Sequence, residues 1–107
     1  MKYMIIVKQD ADKENIHQTI LELMESYQFE LDVIFFTGNS ASLFKNINAD
    51  LLKQYKNKAD IYDVRLLVCG RATEEQNIEK EQLVGVEISG YTELAICIAQ
   101  AEKVISF

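Results

Sequence analysis

Five short apolar runs, separated by segments of helical period, constrain this chain more than any other feature. The runs are Tyr3-Met4-Ile5-Ile6-Val7, Leu31-Asp32-Val33-Ile34-Phe35-Phe36, Val64 to Cys69, Val84-Gly85-Val86-Glu87-Ile88 and Val104-Ile105-Ser106-Phe107. Short runs of this kind, apolar nearly throughout, belong to strands covered on both faces. Between the first two, Ile16, Ile20, Leu23, Met24 and Tyr27 recur at helical spacing, with Asp10 or Asp12 as the N-cap. A short helical piece at Ala41 to Lys45 precedes a helix from Ala49 to Asn57, whose inner face carries Leu51, Leu52 and Tyr55. A helix from Thr73 to Gln82 follows the third run. The last helix runs from Tyr91 to Ala101, capped by Ser89, with Leu94, Ala95, Ile98 and Ala99 facing inward. This alternation predicts an α/β fold with an open parallel five-stranded sheet and helices on both faces. A flavodoxin-like strand order, 2-1-3-4-5, is the expected arrangement.

At 107 residues the chain makes one domain, spanning 1–107, with a single core. It has no proline and only four glycines, so no linker or low-complexity segment divides it. A formal charge of −6 argues against a phosphate backbone or an anionic membrane as partner. Lys53, Lys56 and Lys58 are the nearest approach to a basic cluster.

Cys69 and Cys97 form neither a CxxC motif nor a disulfide framework, and with His17 as the one histidine a zinc site lacks ligands. The N-terminus, Met1 to Lys8, is too short for a signal sequence, and no run reaches transmembrane length. A cytoplasmic location, where thiols stay reduced, is expected.

The chemistry concentrates in the stretch Asp63 to Gln76, which begins as a strand and ends as a helix start, Thr73-x-x-Gln76 having the capping-box pattern. Cys69 and Gly70 lie between. A thiol at the carboxyl end of a strand occupies the rim where open α/β sheets do their chemistry. There a helix dipole and the charge of Arg71 favour the thiolate, and Gly70 leaves the sulfur uncrowded. The competing reading makes Cys69 a small buried hydrophobe.

Other candidates read as structure. Cys97 is a core residue or subunit contact, and His17, just off the apolar stripe, is expected at the solvated surface. Asp10 and Asp12 resemble the acidic pair of a phospho-receiver domain, but Cys69 stands where that domain needs an aspartate. The loop Lys8 to Lys13 is too acidic and bulky to cradle a phosphate, so no flavin or nucleotide cofactor is implied. The polar loop Thr37 to Ser42 is read as a turn in preference to an anion site.

Three segments carry a family resemblance. They are Val33-Ile34-Phe35-Phe36 with its polar loop, Leu67-Val68-Cys69 with the helix start after it, and Gly90-Tyr91-Thr92-Glu93-Leu94 through Phe107. On these the chain resembles the DsrE/DsrF-like family of sulfur-relay proteins, most closely its TusD/DsrE subunits. The resemblance implies a sulfurtransferase carrying sulfane sulfur as a persulfide on Cys69, with Gly70 and Arg71 serving access and anion stabilisation. It also implies donor and acceptor carrier proteins of the TusE/DsrC type, and trimeric or hexameric assemblies. The chain departs from the pattern in its first loop, which is not rich in Gly, Pro or Ala, and at Asn77, where glycine is expected. Some members lack the cysteine and only build the assembly, so a non-catalytic assembly subunit is the alternative.

Overall fold

The computed structural model describes residues 3–26 and 28–107. Five strands form one parallel sheet: β1 (Tyr3–Val7), β2 (Leu31–Phe36), β3 (Arg65–Cys69), β4 (Glu87–Ser89) and β5 (Lys103–Ser106). The helices are α1 (Glu14–Glu25), α2 (Ala49–Tyr62), α3 (Gly70–Glu75) and α4 (Tyr91–Gln100), with 3₁₀ turns at Gly38–Phe44, Asn46–Asn48 and Lys80–Leu83.

The strand order is β4-β3-β2-β1-β5, which corrects the expected 2-1-3-4-5. Each of β2, β3 and β4 is added beside its predecessor, and the chain then returns across the sheet to set β5 against β1. Right-handed crossovers made in one direction put α1, α2 and α3 on one face and the returning α4 on the other. The centre of the sheet is therefore β2. The strand that carries Cys69 is next to the edge, and β2 separates it from β1.

Contacts identify the two faces. Phe36 packs edge-on against Tyr55 of α2 and against Phe44, with centroids 5.3 and 5.4 Å apart. Arg65 bonds Glu87 beside it on β4 and Glu93 of α4. Successive residues of a strand point to opposite sides. So Ile34, Phe36, Leu66 and Val68 face α2, while Val33, Phe35, Leu67 and Cys69 share with Arg65 the face that α4 covers. The strand interiors are sealed: Met4, Ile5, Val33, Ile34, Phe35, Phe36, Leu67 and Val68 are fully buried.

Several local expectations are corrected. α2 continues to Tyr62, past the expected end at Asn57, and stops at Asp63, whose φ of 56° is left-handed. The helix expected from Thr73 to Gln82 begins instead at Gly70 and ends after six residues. Asn77 takes the left-handed conformation at φ 53°, and the Ile78 amide reaches back to the Thr73 carbonyl at 2.9 Å, which closes the helix. Thr73 is thus inside the helix, its hydroxyl donating to the Gly70 carbonyl at 2.7 Å, and caps nothing. Lys13, not Asp10 or Asp12, precedes α1, and Gly90, not Ser89, precedes α4. On α4, Cys97 is buried and Leu94 half-buried, whereas Ala95, Ile98 and Ala99 are exposed. Tyr27, expected on the first helix, lies outside the described residues.

Candidate functional site

The carboxyl ends of β1, β2 and β3 feed three loops that meet on one rim. The β1 loop is anchored by buried polar contacts. The Asp10 carboxylate accepts the Ser42 hydroxyl at 2.8 Å, and the Ala11 amide donates to Ser42 Oγ at 3.0 Å. The Ser42 bond holds the Asp10 carboxyl below the usual carboxylate range. Ser40 donates to the Val7 carbonyl at 2.7 Å, and Gln76, just beyond α3, donates to the Gly38 carbonyl at 2.8 Å. The hydroxyls of Ser40 and Ser42 therefore serve the turn.

His17 sits beneath this rim and is fully buried, which corrects its expected place at the surface. Its Nε2 lies 2.9 Å from the Asp10 carbonyl, and its Nδ1 lies 2.8 Å from the Tyr55 hydroxyl. A carbonyl only accepts, so Nε2 carries the proton and Nδ1 receives the tyrosine O–H. Burial pushes the Tyr55 phenol well above its ordinary value, so it stays a donor. The helical wheel offered the signal: His17, Ile20, Leu21 and Met24 form an i, i+3, i+4, i+7 stripe, and all four are buried.

Cys69 is the last residue of β3 and the residue that immediately precedes α3. It is 5% exposed, and its thiol has no hydrogen-bond partner among the described residues. Gly70 is half-buried, and the side where a Cβ would stand is closed by β4, 3.2 Å from Ile88 Cγ2. The Arg71 guanidinium donates to Glu75 at 3.0 Å, with both side chains well exposed. The three residues thus meet at one corner of the rim, with the arginine's charge paired along its own helix.

Cys69 has two neighbours that the strand pattern alone did not reveal. It pairs in register with Ser89 of β4. On the other side the register Phe36 to Val68, continued one step, brings Thr37 opposite Cys69. Thr37 keeps an extended backbone and donates its amide to the Val7 carbonyl at 3.0 Å. The signal for this row was the strand order, which no periodicity encodes.

The second cysteine belongs to a separate cluster at the opposite end of β3. Arg65 forms a two-pronged bond with Glu87 at 2.9 Å and a third bond to Glu93 at 3.1 Å. These contacts raise the Arg65 pKa further, and Arg65 lowers that of Glu87. Cys97, 1% exposed, points its thiol at Glu93 at 3.8 Å. Burial first, and then the Glu93 charge, push that thiol up. Cys97 is a core residue, as its helical setting predicts.

Comparison with known proteins bears on the family and the fold. The sequence pattern of the DsrE/DsrF-like family matches residues 1–107. Among solved structures, the ychN protein from E. coli is similar with a TM-score of 0.74 and 21% identity, covering 100% of both chains. A conserved protein of unknown function, BT1422 from Bacteroides thetaiotaomicron, is similar with a TM-score of 0.73 and 11% identity, covering 99% of this chain and 95% of that one. No curated protein matches by sequence. At such identities the two structures speak for the fold.

Proposed function

We propose, on the premise that this chain belongs to the DsrE/DsrF-like family, that it relays sulfur as a persulfide on Cys69. The observation that carries the reading is the place of the thiol. It closes a strand at the carboxyl rim, without a hydrogen-bond partner among the described residues, where α3 begins at the next residue. The family generally works in sulfur relay, and a nucleophilic thiol is a group that can perform it.

In the proposed step the Cys69 thiolate attacks the outer sulfur of a donor persulfide. The donor's S–S bond breaks, its inner sulfur leaves as a thiolate, and the outer sulfur joins Cys69. An acceptor thiolate then attacks that outer sulfur and Cys69 leaves in turn. Each exchange breaks one S–S bond and forms one, so no external oxidant or reductant is consumed. Among the described residues Arg71 is held by an exposed pair with Glu75, an attachment weak enough for the guanidinium to turn toward an arriving anion. The partners in this reading are donor and acceptor carrier proteins, and the setting is the cytoplasm.

The domain is proposed to act within a trimeric or hexameric assembly. Helix α4 is apolar nearly all round, and it exposes Tyr91 at 67%, Ile96 at 46% and Ile98 at 42%. A helix apolar on every side calls for cover on every side.

The test is sulfur loading. After exposure to inorganic polysulfide, the wild type should gain the mass of one sulfur atom and Cys69→Ser should not, with unchanged circular dichroism. Loading retained in Cys69→Ser overturns the assignment. Failure of the wild type to load leaves the non-catalytic assembly subunit as the better reading.

A further inference from the structure

We propose that the hydroxyls of Thr37 and Ser89 are positioning groups that hold the reactive sulfur on Cys69 from either side. The inference rests on the relay reading and extends it to two residues outside the strand-to-helix corner.

The geometry comes from the sheet. Ser89 is the register partner of Cys69 on β4, and Thr37 stands one step beyond the Phe36–Val68 pair on β2. Residues paired across a parallel ladder project to the same face, about 4.8 Å apart. Thr37, Cys69 and Ser89 therefore make a row of hydroxyl, thiol and hydroxyl across three strand ends, on the face that α4 covers. Both flanking residues are half-buried, and neither hydroxyl has a hydrogen-bond partner among the described residues.

That idleness sets them apart from the other hydroxyls of this rim. Ser40 bonds the Val7 and Thr37 carbonyls, Ser42 bonds Asp10, and Thr73 bonds the Gly70 carbonyl. Only the two beside the thiol are uncommitted among these. A hydroxyl has one proton to give, and a thiolate or persulfide anion is an acceptor that gains from each such donor. Next to Ser89, Gly90 opens α4 without a side-chain cap, so the positive end of that ten-residue helix adjoins the same row.

The experiment measures the rate of sulfur uptake from inorganic polysulfide, followed by mass, and release of that sulfur to cyanide as thiocyanate. Thr37→Val keeps the shape of threonine without the hydroxyl, and Ser89→Ala removes the other. Each should slow uptake by about tenfold, the order of factor carried by a hydrogen bond to a charged acceptor. Thr37→Ser and Ser89→Thr, which restore the hydroxyl, should stay near the wild-type rate. That rescue separates a hydroxyl role from a packing role, and Ser89→Ala carries the test alone if Thr37→Val fails to fold. Equal rates in the wild type and both deletions overturn the inference and leave the relay reading standing. A wild type that takes up no sulfur overturns both.

Discussion

The Tyr55 hydroxyl lies 2.8 Å from His17 Nδ1, and that bond joins α2 to α1 beneath the rim. Through His17 Nε2 the link continues to the Asp10 carbonyl, and through the Asp10 carboxylate to Ser42. Four segments are thus held by one chain of polar contacts, each member satisfied, in a position where an unsatisfied group is costly.

Removing the phenol hydroxyl tests that chain. Tyr55→Phe leaves Nδ1 as a buried acceptor without a donor, because Tyr55 and His17 are both fully buried. The expected loss is about 1–3 kcal/mol in urea unfolding. The 15N shifts of the imidazole should report a proton on Nε2 in the wild type. A loss below about 0.5 kcal/mol would show that the ring finds another donor.

The Arg65 cluster predicts an acid limb. Arg65 holds the Glu87 carboxyl below its ordinary value, so Glu87 contributes stability that is fully present above the unfolded value, about 4.3. That contribution is lost as pH falls through the depressed folded value. Glu87→Gln should therefore be less stable than the wild type near neutrality, and the two should converge in acid, once pH has fallen through the depressed folded value. Because the Glu87 side chain is 52% exposed, solvent screening keeps the difference below about 1 kcal/mol. Urea midpoints across the range provide the measurement, and a difference that persists in acid would contradict the assignment.

The two thiols should part in labelling. Cys97 is 1% exposed and its thiol is pushed toward the protonated form by burial and Glu93. It should alkylate only when urea opens the fold. Cys69, at the rim, should take up label in the native state if it is to carry sulfur. Mass spectra of the native and unfolded protein distinguish the two, and a native Cys97 adduct would show that α4 detaches readily.

Gly70→Ala asks whether the glycine is needed. The added Cβ meets Cγ2 of Ile88 at 3.2 Å, a methyl on the branched β-carbon of a residue 57% exposed on an edge strand, so that side chain has to shift by a few tenths of an ångström. Alanine is also the better helix former at the start of α3, by about 0.5–1 kcal/mol. The two effects oppose each other, so the urea midpoint should change little. A loss above about 2 kcal/mol would mean that Ile88 is fixed more firmly than its exposure implies.

How much of this was legible in the sequence follows from what each signal encodes. β1, β2 and β3 could be read within a residue because each is a short, nearly unbroken apolar run of the sort a covered parallel strand needs. Their order could not be read, since every strand of a parallel sheet presents the same pattern wherever it pairs. The position of Cys69 at a strand end was therefore visible, and so was β4 beside β3, while β2 with Thr37 on the other side was not. His17 was legible and misread: a polar residue on the stripe of Ile20, Leu21 and Met24 is buried with its partners, not solvated. The inward face of α4 failed for a different reason. With Leu94, Ala95, Ile96, Cys97, Ile98 and Ala99 in succession, hydropathy names no side, and the Arg65–Glu93 contact is what marks the inner one.

That ambiguity leads to the last prediction. The inner side of α4 is met by the sheet at Cys97 and Leu94, and the outer side leaves Ile96, Ile98 and Tyr91 in water. Covering one such side chain is worth about 1.5–3 kcal/mol, so a few together can sustain association. α4 has one charged residue, Glu93, and Arg65 already binds it, so no charge on this helix resists close approach. Ile96→Lys and Ile98→Lys each place a cation in the proposed contact while adding it to a position that is solvent-facing within the domain. The wild type should run as an assembly in light scattering, and the lysine variants should shift toward the 12.3 kDa chain without loss of helix or strand signal. A wild type that is monomeric at micromolar concentration sinks the assembly proposal. Lysine variants that unfold, rather than dissociate, would instead mean that α4 turns this side toward its own sheet.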